Sequence, residues 1–430
     1  MKKYFKILFG TILSAMLASC VGMMDDAQDV PVIEEISVSY KVSAITGFVP
    51  KNGEATPDPS FSTQGLDVEF RELGTGKITK GTTDENGIVS VKIVPGNYSV
   101  TTMGSVENEG DRYFMNGNIP SISFVRPISH QEAAASNQGL LIRPAKVGSL
   151  ILTEVYFCGI APYYFRDQTY QIYNNGDKVE YLDGVCFANL TPNMVFEGDA
   201  IPVWPDEEGV NNYVYAEYVW KFPGTGKDYP LYPGESVVIC QESRDHRENN
   251  PNSFDNSMAE WECWTGNATR NNPQVANMPL YYAESLNKIQ WLVSVFGGAY
   301  CIFRPDTPFS DAAGENFYED FNNQNTCTQV NKTTRYARIH SSWILDGVEL
   351  LSSLALLSNK RVPGYIDAGA ASVGETYCGK VVCRKVVDTR SDGTPIFADT
   401  NNSTQDYEVL DSPMIRRYGQ KAPQWRPAGE

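Results

Sequence analysis

Apolar and polar residues alternate along several short segments of the chain, and this alternation restricts the fold more than any other feature. It is present at 36–44, 66–71 and 89–93. A period of two gives a segment one apolar and one polar face, which is typical of half-buried antiparallel strands. Turn-forming residues accompany these segments, with Asp-Glu-Asn-Gly at 84–87 and Pro-Gly-Asn at 95–97. The sequence therefore predicts an all-β protein.

The second half of the chain contains denser apolar segments that also predict strands. They lie at 148–156, 170–176 and 231–239, and the last of them begins with a Pro-Gly turn. One helix is expected after Asp346, because four apolar residues recur there at helical spacing: Val348, Leu351, Leu354 and Leu357.

The N-terminus has the pattern of an export signal. Three lysines within the first six residues precede an apolar run at 7–17 that is too short to span a bilayer. The run ends in Leu-Ala-Ser-Cys, which resembles the lipobox of bacterial lipoproteins. That resemblance implies a signal peptide at 1–19 and a lipid on Cys20, which would become the mature N-terminus. The following acidic tether, 20–35, resembles that of Bacteroidota-type lipoproteins destined for the cell surface.

Charge and composition exclude several classes of protein. Hydrophobic residues make up 42% of the chain, which is enough for a sizeable core. The formal net charge is −17, and removal of the signal peptide would leave 32 basic against 52 acidic residues, a net charge of −20. Such a field repels phosphate backbones and anionic lipids, so we expect no nucleic-acid partner and membrane attachment only through the lipid on Cys20.

Cysteine usage is compatible with export. Nine cysteines are present, and setting Cys20 aside leaves an even number, which invites disulfides whose connectivity the sequence does not fix. Cys378 and Cys383 are five residues apart in a segment read as a strand. They would stand about 16 Å apart on opposite faces, so they cannot bond to each other. The alternative is that some of these cysteines are buried free thiols.

The first predicted domain, 36–130, resembles the prealbumin-like, or carboxypeptidase regulatory-like, β-sandwich. The resemblance is carried by Thr-Thr-Asp-Glu-Asn-Gly at 82–87, a strand at 91–94 and Pro-Gly-Asn-Tyr at 95–98. It implies a structural spacer with no chemistry of its own. A linker is expected at 131–147.

The second predicted domain, 148–412, resembles the lamin-tail domain, an immunoglobulin-like β-sandwich. Motifs of that family are matched, in order, by Glu154, Asn174, Leu-Asp-Gly at 182–184, and Asp-Thr-Asn-Asn-Ser at 399–403 with Asp406. Two positions depart from the pattern: Gln171 and Tyr407. Taken with the lipobox, the order of motifs resembles an uncharacterised lipoprotein family of Bacteroidota across the whole chain. A tail is expected at 413–430.

Large loop insertions at about 191–230 and 241–335 exceed what such a sandwich needs, and long loops on a rigid scaffold often carry function. Aromatic residues in the second insertion could stack on sugar rings or on an aromatic chelator, and an imidazole among carboxylates could assist. The candidate ligand-binding residues are Trp261, Trp264, His246, Tyr281 and Tyr282. The alternative is that Trp261 and Trp264 anchor a small core of the insertion itself, and that His246 lies in a solvated charged loop.

Motifs for catalysis and for metal binding are absent from the sequence. It contains three histidines and no H-E-x-x-H, C-x-x-C or G-x-S-x-G pattern. The segment 222–227 resembles the end of a phosphate-binding loop, but Asp228 stands where that loop needs Ser or Thr. We therefore expect no catalytic residue, no metal site and no cofactor.

These observations favour a non-catalytic, surface-exposed lipoprotein of the outer membrane, facing the cell exterior. It would bind a protein partner, a small molecule or a glycan as an accessory to a TonB-dependent type of uptake transporter. One alternative is a secreted hydrolase that uses paired carboxylates in the loop insertions. The other alternative is a protein that captures a metal or a siderophore.

Overall fold

Strands dominate the computed structural model, which confirms the predicted all-β class. The structure describes residues 34–46, 54–196, 213–284, 290–305, 327–329 and 335–427. Among these residues, no helix has the length and the apolar character that crossing a membrane requires. The predicted signal peptide and the lipidation site at Cys20 lie outside the described residues.

Eleven strands and one short helix form the first part of the described chain. They are β1 (Ile36–Thr46), β2 (Thr56–Pro57), β3 (Asp67–Glu72), β4 (Ile78–Thr82), β5 (Ile88–Ile93), β6 (Gly96–Met103), β7 (Ser105–Asn108), β8 (Asp111–Phe114), β9 (Gly117–Phe124), α1 (His130–Ala135), β10 (Leu140–Ile142) and β11 (Ala145–Lys146). One sheet has the order β4-β3-β6-β9, and a second joins β10, β1 and β2, with β5 also paired to β1.

The first core lies between these two sheets. The alternating residues of β1, β3 and β5 turn their apolar side chains inward, so that Val38, Val68 and Val89 are buried together. Tyr40 of β1 and Phe124 of β9 meet edge to face, with ring centroids 5.5 Å apart. The burial follows from the period of two in the sequence.

Eighteen further strands and a second short helix follow. They are β12 (Leu150–Tyr156), β13 (Thr169–Asn174), β14 (Glu180–Tyr181), β15 (Cys186–Leu190), β16 (Tyr213–Lys221), β17 (Pro230–Leu231), β18 (Ser236–Cys240), β19 (Trp261–Glu262), β20 (Ala276–Asn277), β21 (Leu280–Ala283), β22 (Ala299–Phe303), β23 (Cys327–Gln329), β24 (Arg335–His340), β25 (Ile344–Glu349), β26 (Val381–Arg384), β27 (Val386–Thr389), β28 (Pro395–Phe397), α2 (Ser403–Asp406) and β29 (Tyr407–Leu410).

Two seven-stranded sheets dominate this second part of the described chain. One has the order β20-β19-β18-β13-β12-β26-β29; the other has the order β23-β24-β16-β15-β22-β25, with β21 also paired to β16. Their facing sides share one core, in which the ring of Tyr170 lies 4.9 Å from that of Phe187 and 4.7 Å from that of Tyr300. The second insertion extends the first of these sheets, because β19 and β20 add to β18 in parallel.

Two local expectations need correction or refinement. The helix expected after Asp346 is wrong for Val348, because Ile344–Glu349 pairs with β22 as strand β25. Only Leu354–Asn359 is helical, as a 3-10 turn that Ser353 caps. The predicted linker, 131–147, contributes β10, whose Leu140 and Ile142 are buried in the first core.

A buried arginine joins the two large sheets. The Arg384 guanidinium of β26 donates through Nη2 to both carboxylate oxygens of Asp346 of β25, at 3.0 Å each. Its Nη1 donates to Asp399 at 3.1 Å and to Asp406 at 3.2 Å, both in the motif at 399–406. Nε donates to the carbonyl of Leu152 at 2.9 Å. We name this group the arginine clasp; it accounts structurally for the terminal acidic motif.

The arginine clasp predicts a large stability effect for R384M, which keeps most of the side-chain volume but removes the charge. Three carboxylates would be left in the interior without their cation. Breaking a buried ion pair in this way costs about 3–5 kcal/mol, and urea unfolding of the full chain would measure it. R247M is the matched control, because Arg247 forms exposed ion pairs with Asp245 and Asp255. Equal midpoints for the two variants would contradict the prediction.

Candidate functional site

The five predicted ligand-binding residues do not form one site. Trp261 belongs to β19 and is 2% exposed, with its ring packed 5.9 Å from Phe222 and 5.7 Å from Tyr229. It packs into the core that the two large sheets share, rather than into a small core of the insertion itself. In this position its indole is not accessible to a sugar ring. Trp264 is half-buried, and its Nε1 donates to the Asn267 carbonyl at 2.8 Å.

Tyr281 and Tyr282 lie on β21, which belongs to the opposite sheet from Trp261. Tyr282 is fully buried. Tyr281 is half-buried, and the Lys221 ammonium lies 4.6 Å from its ring centroid. These two tyrosines therefore belong to a different sheet from Trp261.

His246 is buried and acts as an anchor for a neighbouring loop. Its Nε2 lies 2.9 Å from the Glu242 carbonyl, and its Nδ1 lies 2.7 Å from the Tyr164 hydroxyl. A carbonyl can only accept, so Nε2 carries the proton and Nδ1 accepts from Tyr164. Burial lowers the pKa of His246 to about 4, so the ring is neutral near pH 7. Both nitrogens are engaged, which leaves neither available to a metal in this arrangement.

The loop that His246 supports is a tight reversal at 159–165. Ile160 and Tyr164 exchange backbone hydrogen bonds at 2.7 and 2.9 Å, which closes the turn between them. Gly159 begins it with a φ of +67°, and a Cβ there would lie 2.4 Å from the Tyr164 carbonyl oxygen. Only glycine fits that position without a shift of the backbone. Asn250 of the second insertion donates to the Ala161 carbonyl at 3.0 Å.

Tyr163 stands at the apex of this turn and is the most exposed large hydrophobic residue described, at 80%. Its ring meets that of Tyr377 edge to face, with centroids 5.3 Å apart. We name these two residues the tyrosine platform. Both have a φ of +53°, which is uncommon for residues other than glycine, asparagine and aspartate. Strained backbone of this kind concentrates at sites that bind or react, because the surrounding contacts must maintain it at a cost in stability.

The tyrosine platform is fixed from both sides. The Ala161 amide donates to the Tyr377 carbonyl at 2.9 Å, and the Tyr377 amide donates to the Cys158 carbonyl at 2.7 Å. The second insertion fixes the other side through Asn250 and His246. Two loops that are more than 200 residues apart in sequence thus hold one exposed aromatic pair.

Sequence reasoning missed the tyrosine platform. The local signal was the run Ala-Pro-Tyr-Tyr-Phe at 161–165, which places three aromatic residues directly after a buried strand and a glycine. Nothing local to Tyr377 indicates that it reaches Tyr163, since that contact depends on the pairing of β12 with β26.

A pair of acidic residues with perturbed pKa values lies elsewhere in the structure. Burial raises the pKa of Glu217 to about 7, and the nearby charge of Glu284 acts in the same direction. The Asn193 amide donates to Glu217 Oε1 at 3.2 Å. Burial also raises the pKa of Glu284. In the described part of the chain, no cluster of three or more His, Cys, Asp or Glu side chains is arranged to hold a metal ion.

A surface cleft of about 560 Å³ lies beside strand β29. The residues that line it are Lys385, Val386, Thr389, Pro395, Glu408 and Tyr418. It contains none of the predicted site residues, and its position beside the edge of the first large sheet separates it from the loop insertions.

The two cores, each enclosed by a pair of sheets, define the chain as an all-β protein of two sandwiches. The exposed aromatic loop belongs to the second of them. A family model described as "Protein of unknown function (DUF4876)" matches residues 232–414. The crystal structure of a DUF4876 family protein from Bacteroides thetaiotaomicron VPI-5482 is 35% identical, with a TM-score of 0.59, and the match covers 91% of this chain and 99% of that one. The chain belongs to the DUF4876 family.

A second solved structure is much less similar. A DUF3823 family protein from Bacteroides ovatus ATCC 8483 is 14% identical, and the match covers 48% of this chain and 98% of that one. Its TM-score of 0.13 is too low to support an argument about fold or function. No curated protein matches the chain significantly.

The buried His246 predicts a pH dependence of stability. Its pKa falls from 6.5 to about 4 on folding, so the unfolded chain binds a proton that the folded chain does not. The stabilisation is full above pH 6.5 and is lost as the pH falls towards 4, by about 3 kcal/mol for that shift. Denaturant unfolding across this range would measure it.

The variant H246Q has no imidazole to titrate, so the gap between its unfolding free energy and that of the wild type should narrow as the pH falls. Y164F is the matched control: it removes the hydroxyl that donates to Nδ1 but keeps the buried imidazole, so its unfolding free energy should still fall as the pH falls. Parallel curves for H246Q and the wild type would show that His246 does not carry this dependence.

Proposed function

We propose that this protein is a non-catalytic, lipid-anchored binding protein of the outer-membrane surface, and that the tyrosine platform contacts its ligand. The observation that carries the proposal is the 80% exposure of Tyr163 on a backbone with a φ of +53° that neighbouring segments hold in place. A tyrosine ring offers a large contact area with few rotatable bonds, so little conformational entropy is lost on binding. Export and anchoring rest on the lipobox resemblance at Cys20.

The class of ligand we propose is a neutral glycan. The flat face of an exposed tyrosine suits the apolar face of a sugar ring, and the half-buried ring of Tyr377 would limit where the sugar can lie. Asn250 and Asn252, which both donate to the Ala161 carbonyl, bring amide groups beside the loop. The net charge of −17 disfavours an acidic glycan. A TonB-dependent type of transporter is the partner we propose for uptake of the bound glycan.

Substitution of Tyr163 tests the platform. Y163A should weaken binding to a neutral oligosaccharide about fivefold, since one aromatic contact contributes about 1 kcal/mol. Binding would be measured on a glycan array and then by calorimetry with the best oligosaccharide. The melting temperature should not fall, because the lost side chain is largely exposed.

Y232A is the matched control, since Tyr232 is also exposed, at 47%, but lies in the turn before β18. It should bind as the wild type does. Equal binding by Y163A and the wild type would exclude the platform as the contact surface. Capture of a protein but of no glycan would exclude the glycan class.

Lipid anchoring has its own test at Cys20. In the native host, C20A should lose metabolic labelling by an alkyne fatty acid, and the protein should leave the membrane fraction for the soluble fraction. S19A is the control, because it keeps the thiol and a small residue before it. Retention of C20A in the membrane fraction would contradict the proposed anchor. Copurification of the wild type with one transporter would support the uptake role.

A carboxylate-dependent hydrolase is the second candidate function, and Glu217 favours it. A carboxyl group with a pKa of about 7 can donate a proton near neutral pH, while a neighbouring carboxylate such as Glu284 supports the second role that glycoside hydrolysis needs. A panel of glycosides incubated with the wild type and with E217Q tests this function. Turnover that E217Q abolishes would favour the hydrolase, and no turnover by the wild type would exclude it for that panel.

A further inference from the structure

Two cysteine sulfurs lie in contact directly behind the tyrosine platform. Cys158 Sγ and Cys378 Sγ are 3.5 Å apart, although the two residues are separated by 220 positions in sequence. Cys158 is buried and Cys378 is half-buried. A disulfide requires about 2.05 Å between sulfurs, so the two side chains need to close a gap of about 1.5 Å.

The backbone around the two cysteines already has the arrangement that a cross-link needs. Ile160 and Cys378 form an isolated antiparallel bridge. The Tyr377 amide donates to the Cys158 carbonyl at 2.7 Å, and the Gly379 amide donates to the Gly159 carbonyl at 3.0 Å. These bonds hold the two chain segments side by side, so that closing the gap needs side-chain rotation rather than movement of a strand.

The other five cysteines with described side chains are all buried, and four of them form two neighbouring pairs, Cys186 with Cys301 and Cys240 with Cys263. The short sulfur–sulfur contact that the structure shows is the one between Cys158 and Cys378. Cys383 belongs to β26, and its thiol lies 3.6 Å from the Arg384 carbonyl. Cys158 and Cys378 therefore differ from these pairs in the contact between their sulfurs and in the access of Cys378 to solvent.

We propose that Cys158 and Cys378 form a disulfide that covalently joins the two loops of the tyrosine platform. This proposal rests on the proposed function in one respect: export would bring the protein into an oxidising compartment. The oxidant would be a protein disulfide of the exported thiol-oxidase class. The two thiols lose two protons and two electrons, one S–S bond forms, and the oxidant's disulfide is reduced to a dithiol.

The order of events follows from access. Cys378 reaches solvent, so it attacks the oxidant and forms a mixed disulfide. Cys158 then attacks the Cys378 sulfur and releases the reduced oxidant. Burial raises the pKa of the Cys158 thiol well above its ordinary range, which makes Cys158 a poor first nucleophile. Its role is to resolve the mixed disulfide.

Trypsin separates the relevant cysteines, which allows a direct test. Cleavage yields the peptides 147–166, with Cys158, and 362–380, with Cys378, while Cys383 falls in the separate peptide 381–384. Full-length protein extracted from the native membrane would be alkylated under denaturing, non-reducing conditions and digested. We expect one ion at the summed mass of the first two peptides less two hydrogen atoms, which reduction before alkylation abolishes.

Digests of C383A should still contain the linked ion. Digests of C158A and C378A should lack it, and the remaining cysteine of the pair should be found alkylated. In parallel, the purified full chain would be incubated with oxidised glutathione. Formation of the 158–378 disulfide in this incubation would support the pairing whatever the cellular compartment. If the disulfide does not form, the proposal is overturned.

Protein in the membrane fraction with both thiols fully alkylated would also overturn the proposal. A third outcome is that the protein is found in the cytoplasm with both thiols reduced, while oxidised glutathione forms the 158–378 disulfide in the purified chain. This outcome would contradict the proposed export and support the pairing.

Discussion

The arginine clasp is the interaction on which the second sandwich depends most. A guanidinium removed from water requires its acceptors at fixed positions, and the clasp takes them from β12, β25 and the terminal motif. A slip of β26 by one residue would turn Arg384 to the other face of its sheet and leave three carboxylates without a cation. Apolar packing brings the two sheets together, whereas the clasp specifies how they are aligned.

The sequence indicated the strands well and the site poorly. Alternation at 36–44 predicts β1 because burial on one face imposes a period of two, whatever the rest of the chain does. The helix expected at Val348 was wrong because helical spacing in a short apolar run also fits a strand buried on both faces. The tyrosine platform needs two segments that are far apart in sequence, and their meeting depends on strand pairing that no local pattern records.

His246 illustrates the same limit in a single residue. Its charged neighbours suggested a solvated loop or a ligand, but the structure places the ring in the interior, where it supports Tyr164. The second insertion therefore contributes to the candidate site without providing the contact surface. Its polar residues position a loop that belongs to the sandwich, whereas its Trp261 packs into the sandwich core.

The parallel addition of β19 and β20 has a consequence for how copies of this chain meet. An open sheet presents unpaired backbone groups at each edge, and these can recruit the same edge of a neighbouring copy. Here the first large sheet tapers to a two-residue strand at one side and a four-residue strand at the other. Edges this short offer few hydrogen bonds to a second chain, so this sheet disfavours edge-to-edge pairing between copies.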